Sequence, residues 1–291
     1  FCYNVEVKIT KSGPFYILMA ALFWSFGGVF SKLIPWSGLS IAAVRSVIAA
    51  LTIGLYRKSF HFKITKSTVL ASICILLTTV LFMMANKMTT AANAIVLQYT
   101  SPLFIIILTL VIFRQKPKKR DLFALVGVGF GIGLFFFEQF RSGSYMGDLL
   151  ALASGLTFAG VFFSNRLPGA SPFDATFMGN LLGIVFIPFL FVDKQYAANS
   201  GWLPWLTILA MGVIQQAGGY IFFSKGIKHT SATTSSIIAT LEPILNPLWV
   251  FLVVGEVPSP LALVGGAIVL TTVLIYNTIV TRENFRNFKA S

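Results

Sequence analysis

The side chains able to do chemistry stand out in this chain because they interrupt long apolar runs. Glu242 lies near the middle of such a run, over 231–253. A carboxyl group at that depth sheds its hydration, so it needs a partner or a water-filled cavity and becomes a candidate for proton exchange or for holding a cation. Satisfying backbone donors near Pro243, or pairing with a neighbouring helix, is its structural alternative. Asn246 follows one turn later on the same face. Pro243 and Pro247 lack backbone N–H groups and free the carbonyls one turn earlier, which predicts an irregular helix beside a cavity. Gln98 and Tyr99 interrupt an earlier run. The tyrosine offers a ring face and a hydroxyl to an aromatic or cationic solute, or packs between helices. Gln215, Gln216 and Tyr220 form a polar stripe beside Gly219, suited to lining a cavity or to bonding helix to helix. Trp24 lies deeper than an interfacial belt requires and either forms an aromatic wall or packs between helices. Arg45 is a candidate structural or gate charge that snorkels or pairs with a carboxylate.

Catalytic constellations do not emerge. The nine acidic residues form no paired-carboxylate, metal or nucleophile pattern, and His61 and His229 sit near loops. Neither an enzyme nor a metal site nor a cofactor is expected. Cys2 and Cys74 indicate no disulfide framework. The glycines 127, 129, 131 and 133 lie inside an apolar run with no strand before them, so they are not a phosphate loop. Their small-xxx-small spacing suits close approach of a neighbouring helix or of a second copy in a homodimer. Gly27, Gly28 and Gly160 are candidates for bending. With no ATP-binding motif, energy must come from a gradient or from exchange, a proton or a counter-substrate being the candidate partner.

The elements that position these residues follow from composition. The 291 residues are 56% hydrophobic and 11% charged, with net charge +13 and mean hydropathy +0.83, so the solvent is a lipid bilayer. Apolar runs near 14–34, 39–57, 68–86, 91–113, 121–138, 148–165, 173–192, 204–226, 231–253 and 261–280 predict an all-α polytopic membrane protein with ten transmembrane helices. The first run lacks a cleavage signature and reads as a span.

Of the 22 Lys and Arg, seventeen fall on the side of the N-terminus, four on the other (Lys32, Lys87, Arg141 and Lys194), and Arg45 lies within a span. The positive-inside rule then makes both termini cytoplasmic, with 1–13 and 281–291 as cytoplasmic segments. The same rule accounts for the run Lys116 to Arg120, so no nucleic-acid partner is expected.

The chain also resembles itself. Thr89 to Pro102 aligns without gaps on Thr230 to Pro243, Ala124 to Gly127 meets Ala262 to Gly265, and Phe26 to Phe30 resembles Phe158 to Phe162. Two copies, 14–138 and 148–280, each hold five spans, and an odd number inverts the second copy. Such inverted repeats exchange conformations about a central site.

In order and spacing, Phe23-Trp24-Ser25, Ser31-Lys32, Arg45 with Ala49-Ala50, Tyr99-Thr100-Ser101-Pro102, Leu241-Glu242-Pro243 and Gly255-Glu256 resemble the ten-helix EamA-type members of the drug/metabolite transporter superfamily. The resemblance implies a secondary transporter of the cell membrane, with a cavity lined by the first, third, fourth, sixth, eighth and ninth spans. Its cargo would be a small molecule, an amino-acid-like solute and export being favoured. Uptake or exchange of a choline-like cation, exchange of nucleotide sugars or phosphorylated metabolites, and a channel or lipid scramblase are the alternatives. One departure breaks the symmetry: the first half has Ser101 and Arg114-Gln115 where the second has Glu242 and Gly255-Glu256.

Overall fold

A computed structural model describes residues 12–113, 118–142, 145–164, 167–198, 201–226, 229 and 238–290. Residues 1–11, Arg114 to Pro117, Arg166, Lys228 and the 230–237 part of the repeat lie outside the described residues. Every regular element described is helical. In chain order they are α1 (Ser12–Ser25), α2 (Gly27–Leu33), α3 (Gly38–Arg57), α4 (Lys66–Met88), α5 (Ala91–Gln98), α6 (Ser101–Phe113), α7 (Lys119–Ser142), α8 (Tyr145–Ser164), α9 (Pro172–Leu181), α10 (Pro188–Val192), α11 (Lys194–Ala198), α12 (Trp202–Ala210), α13 (Gly219–Gly226), α14 (Leu241–Val254) and α15 (Pro260–Ala290). A 3₁₀ stretch, Leu182–Phe186, follows α9, and a π-helix, Met211–Gly218, joins α12 to α13.

Among the described residues, eight helical stretches are long and apolar enough to cross a membrane, and α14 is a shorter apolar helix. The chain is thus a multi-pass integral membrane protein. Helix α7, 24 residues long, covers the predicted run 121–138. Helix α15 continues past the predicted end at 280 to Ala290.

Local chemistry sets the boundaries. Ser37, Thr65 and Thr90 cap the starts of α3, α4 and α5 by accepting from the backbone N–H groups of Ser40, Thr68 and Asn93. Pro172 opens α9 and Pro260 opens α15, as expected of a residue with no N–H to lose. Gly255 ends α14 in the left-handed conformation, φ 76°, which a side chain would strain.

The distribution of polarity is that of a protein solvated by lipid. Phe191, Trp202 and Val126 are each more than 70% exposed. Ser25, Ser72, Asn86, Thr100 and Asn246 are completely buried. Polar groups in hydrocarbon must be satisfied internally, so they turn inward, and the apolar ones face out.

Helix α4 packs on α8 and α9, α1 packs on α13, and the π-helix packs on α3. Helices α5 and α6 lie against α8, α14 lies against α1, α2 and α5, and α7 pairs with α15. The glycine stripe of α7 divides between two environments. A Cβ on Gly127 would fall 2.6 Å from Thr272, and one on Gly131 would fall 2.6 Å from Val269, both on α15, whereas Gly129 and Gly133 meet nothing within 4 Å.

Candidate functional site

Residues from spans far apart in sequence meet around one buried cavity. Helix α1 contributes Trp24, α3 Arg45, α5 Gln98, the π-helix Gln215 and Gln216, α13 Tyr220 and α14 Glu242. The wall is completed by Thr78, Thr79 and Phe82 of α4 and by Phe158 of α8. The cavity measures about 60 Å³, room for a few water molecules. Sites for drug-sized ligands hold about 300–1,000 Å³, several times this volume.

Two irregularities in the helices create this wall. On a regular α-helix adjacent side chains diverge by about 100°, yet Gln215 and Gln216 are both 4% exposed and both face the cavity. The π-helix widens the turn enough to present both, as such segments do at functional sites. Gln215 accepts from the Arg45 Nη1 group at 3.2 Å. Gln216 donates to Asn180 Oδ1 at 3.0 Å.

The second irregularity is at Glu242. Pro243 cannot donate to the carbonyl of Ala239, and the Tyr99 hydroxyl lies 3.0 Å from that oxygen. The same hydroxyl lies 2.7 Å from Glu242 Oε2. Tyr99 itself sits at a break between α5 and α6, where the chain turns at Tyr99 and Thr100 before Pro102. The helical runs are thus broken between α5 and α6 and just before α14, and one phenol joins the two breaks.

Aromatic packing is set by a glycine. The Trp24 ring lies edge-on to Tyr220 with centroids 5.3 Å apart and touches Phe223 at the same spacing. A Cβ on Gly219 would come within 2.2 Å of Trp24 Nε1, so only glycine leaves room for the indole.

Two expected residues stand elsewhere. Tyr99 is not part of the cavity wall; it supports Glu242 from behind. Asn246 is completely buried, neither end of its amide has a hydrogen-bond partner, and it packs where a Cβ on Gly28 would approach Oδ1 to 2.3 Å. Arg45 does not snorkel and, among the described residues, pairs with no carboxylate: it is 2% exposed and bonds the Gln215 amide. It also adds the second span to the lining. Thr78, Thr79, Phe82, Phe158 and Asn180 were not anticipated. A threonine that bonds its own helix, as Thr78 does to the Cys74 carbonyl at 2.7 Å, leaves no mark in hydropathy. The four-residue spacing of Thr78 and Phe82 is the signal that would have found them.

The ends of the bundle are tied by charge. Opposite the N-terminus, Lys32 pairs with Glu256 at 2.6 Å and donates to the Thr89 carbonyl at 3.0 Å, while Glu256 accepts from the Ala91 N–H at 2.6 Å. Asp193, just beyond the span, accepts from the Ser40 hydroxyl at 2.5 Å and from the Ser37 N–H at 3.0 Å. Partial burial pushes its pKa up, but bonds from Ser40, Ser37 and the Tyr196 backbone outweigh this and hold it down at about 2. At the other end Arg57 pairs with Asp174 at 2.8 Å.

With this geometry in place, comparison with known proteins decides the family. The EamA-like transporter family matches residues 11–137 and again residues 145–278. The chain belongs to this family. An uncharacterised transporter of Archaeoglobus fulgidus is 28% identical over 203 residues, covering 68% of this chain and 72% of that protein. The pseudopaline exporter CntI of Pseudomonas aeruginosa is 25% identical over 183 residues, covering 62% and 63%. A crystal structure superposes with a TM-score of 0.61 at 17% identity, covering 94% of this chain and 97% of its own, a likeness of fold. This EamA-family protein is therefore a membrane transporter and not an enzyme.

Proposed function

We propose that this EamA-family protein is a secondary active transporter that moves a small organic metabolite by alternating access, with an amino-acid-like solute and export favoured. The observation that carries the reading is a buried cavity, lined from both halves of the chain by Trp24, Gln98, Gln215, Gln216, Tyr220 and Glu242.

Ten spans arranged as two inverted halves, 14–138 and 148–280 with both termini cytoplasmic, supply the means of exchange. The packing pattern supports this. Exchanging each span for its repeat partner turns the contact of α4 with α8 into that of α13 with α1. It likewise turns α4 on α9 into the π-helix on α3, and α5 and α6 on α8 into α14 on α1 and α2. Two halves related in this way can trade conformations at similar energy.

Glu242 is the candidate for proton coupling. The Tyr99 hydroxyl has one hydrogen for two acceptors, the Ala239 carbonyl and the Glu242 carboxyl. A protonated Glu242 donates to the phenol and lets the phenol serve the carbonyl; an ionised Glu242 takes the phenol's proton bond and leaves the carbonyl bare. Protonation thus changes the bonding between the fourth and ninth spans.

A choline-like cation is the second reading, favoured by Glu242 beside the Trp24 and Tyr220 rings. The buried Arg45 in the same cavity opposes it. Proteoliposomes loaded with amino acids, amines and nucleotide derivatives decide between the readings. Saturable, proton-driven or exchange flux of an amino-acid-like solute is expected. Absence of any saturable flux, or single-channel current or lipid scrambling in its place, removes the transporter proposal.

A further inference from the structure

We infer that Arg45 is a substrate-binding residue: it receives the anionic group of a dipolar cargo whose protonated amine is held by Glu242. The inference deepens the transport proposal above and rests on it.

Arginine stays protonated in proteins, and its planar fork matches a carboxylate through two parallel hydrogen bonds. A guanidinium withdrawn from water without an anion is therefore costly, and it persists where something supplies the anion. Arg45 is 2% exposed. Its hydrogen bond among the described residues is to the neutral Gln215 amide, its Nε has no partner, and it is in no ion pair of the described residues. By contrast Lys32, Arg57 and Arg120 each meet a carboxylate.

A carboxyl group lines the same cavity. Glu242 lines the same space and accepts from Tyr99, yet it too forms no ion pair with a described cation. One buried cation and one buried carboxyl, unpaired in one cavity, select for a cargo that satisfies both. A simple cation is repelled by Arg45, a simple anion by Glu242. A molecule carrying both charges neutralises each, while Trp24, Phe82 and Phe158 take its apolar body.

The test uses the full-length protein in detergent and measures binding by calorimetry. The probes are glycine, L-leucine, L-phenylalanine and L-glutamate, their amides, which lack the α-carboxylate, and their deaminated acids. At least one free amino acid is expected to bind, with each truncated analogue weaker by about tenfold or more, as loss of a charge-assisted hydrogen bond implies. In Arg45→Gln the amino acid should fall to the level of its amide while the amide is unchanged. In Glu242→Gln it should fall to the level of the deaminated acid.

Equal binding of amide and amino acid by the unsubstituted protein, an undiminished preference for the carboxylate in Arg45→Gln, or no binding of any amino acid overturns the inference. A ligand-free melting measurement guards against a folding artefact. Arg45→Gln should melt at or above the unsubstituted protein, because it removes an unpaired buried charge; a clearly lower melting point marks Arg45 as structural and overturns the assignment. Flux separates the two proposals. Two-point binding without flux keeps the Arg45 assignment and removes the transporter, and flux of another solute without amino-acid binding does the reverse.

Discussion

At the end of the bundle that carries Lys32, cation and carboxylate meet, whereas in the cavity at its middle they do not. Lys32 has Glu256 at 2.6 Å, and Asp193 is enclosed by serine hydroxyls and backbone N–H groups. Arg45 and Glu242 line one space and are each bonded to a neutral group. Paired charges at a helix end hold neighbouring helices together and are satisfied without a ligand. Unpaired charges in a buried cavity keep their demand for a partner, and a carrier exploits that demand when cargo arrives. The contrast teaches that in this protein the place to look for specificity is where the ionic bookkeeping is incomplete.

The largest effect is expected at Glu242. Glu242→Gln should lower flux by roughly ten- to a hundredfold, since a hydrogen bond to a charged group is worth about 1.5–3 kcal/mol, and should flatten its dependence on pH. Proteoliposome flux measured across a pH series checks this, and a pH profile parallel to that of the unsubstituted protein would sink proton coupling through this residue. The next effect is steric. Gly219→Ala leaves both charges in place but drives Trp24 from its seat. It should cost about 1–3 kcal/mol of overpacking, read as a lower melting temperature together with weaker cargo binding.

Smaller effects belong to the paired end. Lys32→Glu sets two carboxyl groups face to face and should lower the melting temperature, with Lys32→Glu/Glu256→Lys restoring most of the loss. A partly exposed pair of this kind is worth about 0.2–1 kcal/mol, and failure of the swap to restore stability would show that the ion pair is not what ties this end. Asp193 gives the smallest effect and a defined pH window. Its carboxyl is held down at about 2, below the ordinary value of about 3.9, so the stabilisation is complete above about pH 4 and is lost as pH falls towards 2. Asp193→Asn should therefore melt slightly lower at neutral pH, and the difference should close in melts run towards pH 2.

Much of the architecture was legible without the fold. A continuous apolar run such as 68–86 dictates a span because backbone groups in hydrocarbon must bond within their own helix, and Lys66–Met88 is the helix found. Glu242, Gln215 and Gln216 announced themselves because polar side chains in an apolar run are costly enough to need a reason. Thr78, Thr79 and Phe82 did not, since a helix-bonded threonine and a phenylalanine are ordinary in such a run. The role of Pro243 was half legible: its missing donor could be read from its identity, but the donor that replaces it, the Tyr99 hydroxyl, comes from another span.

Residue type and spacing thus determined the helices, their lipid-facing character and the polar positions within them, because these depend on local bonding and on transfer between water and hydrocarbon. Only the tertiary structure decided which polar groups find partners. It turned two adjacent glutamines inward through a π-helix, set Tyr99 behind Glu242, removed Asn246 from the wall, and left Arg45 in the cavity with an amide for company. Those outcomes depend on distances between helices, and a distance between residues 170 positions apart, as for Arg45 and Gln215, is written in the packing and not in either residue.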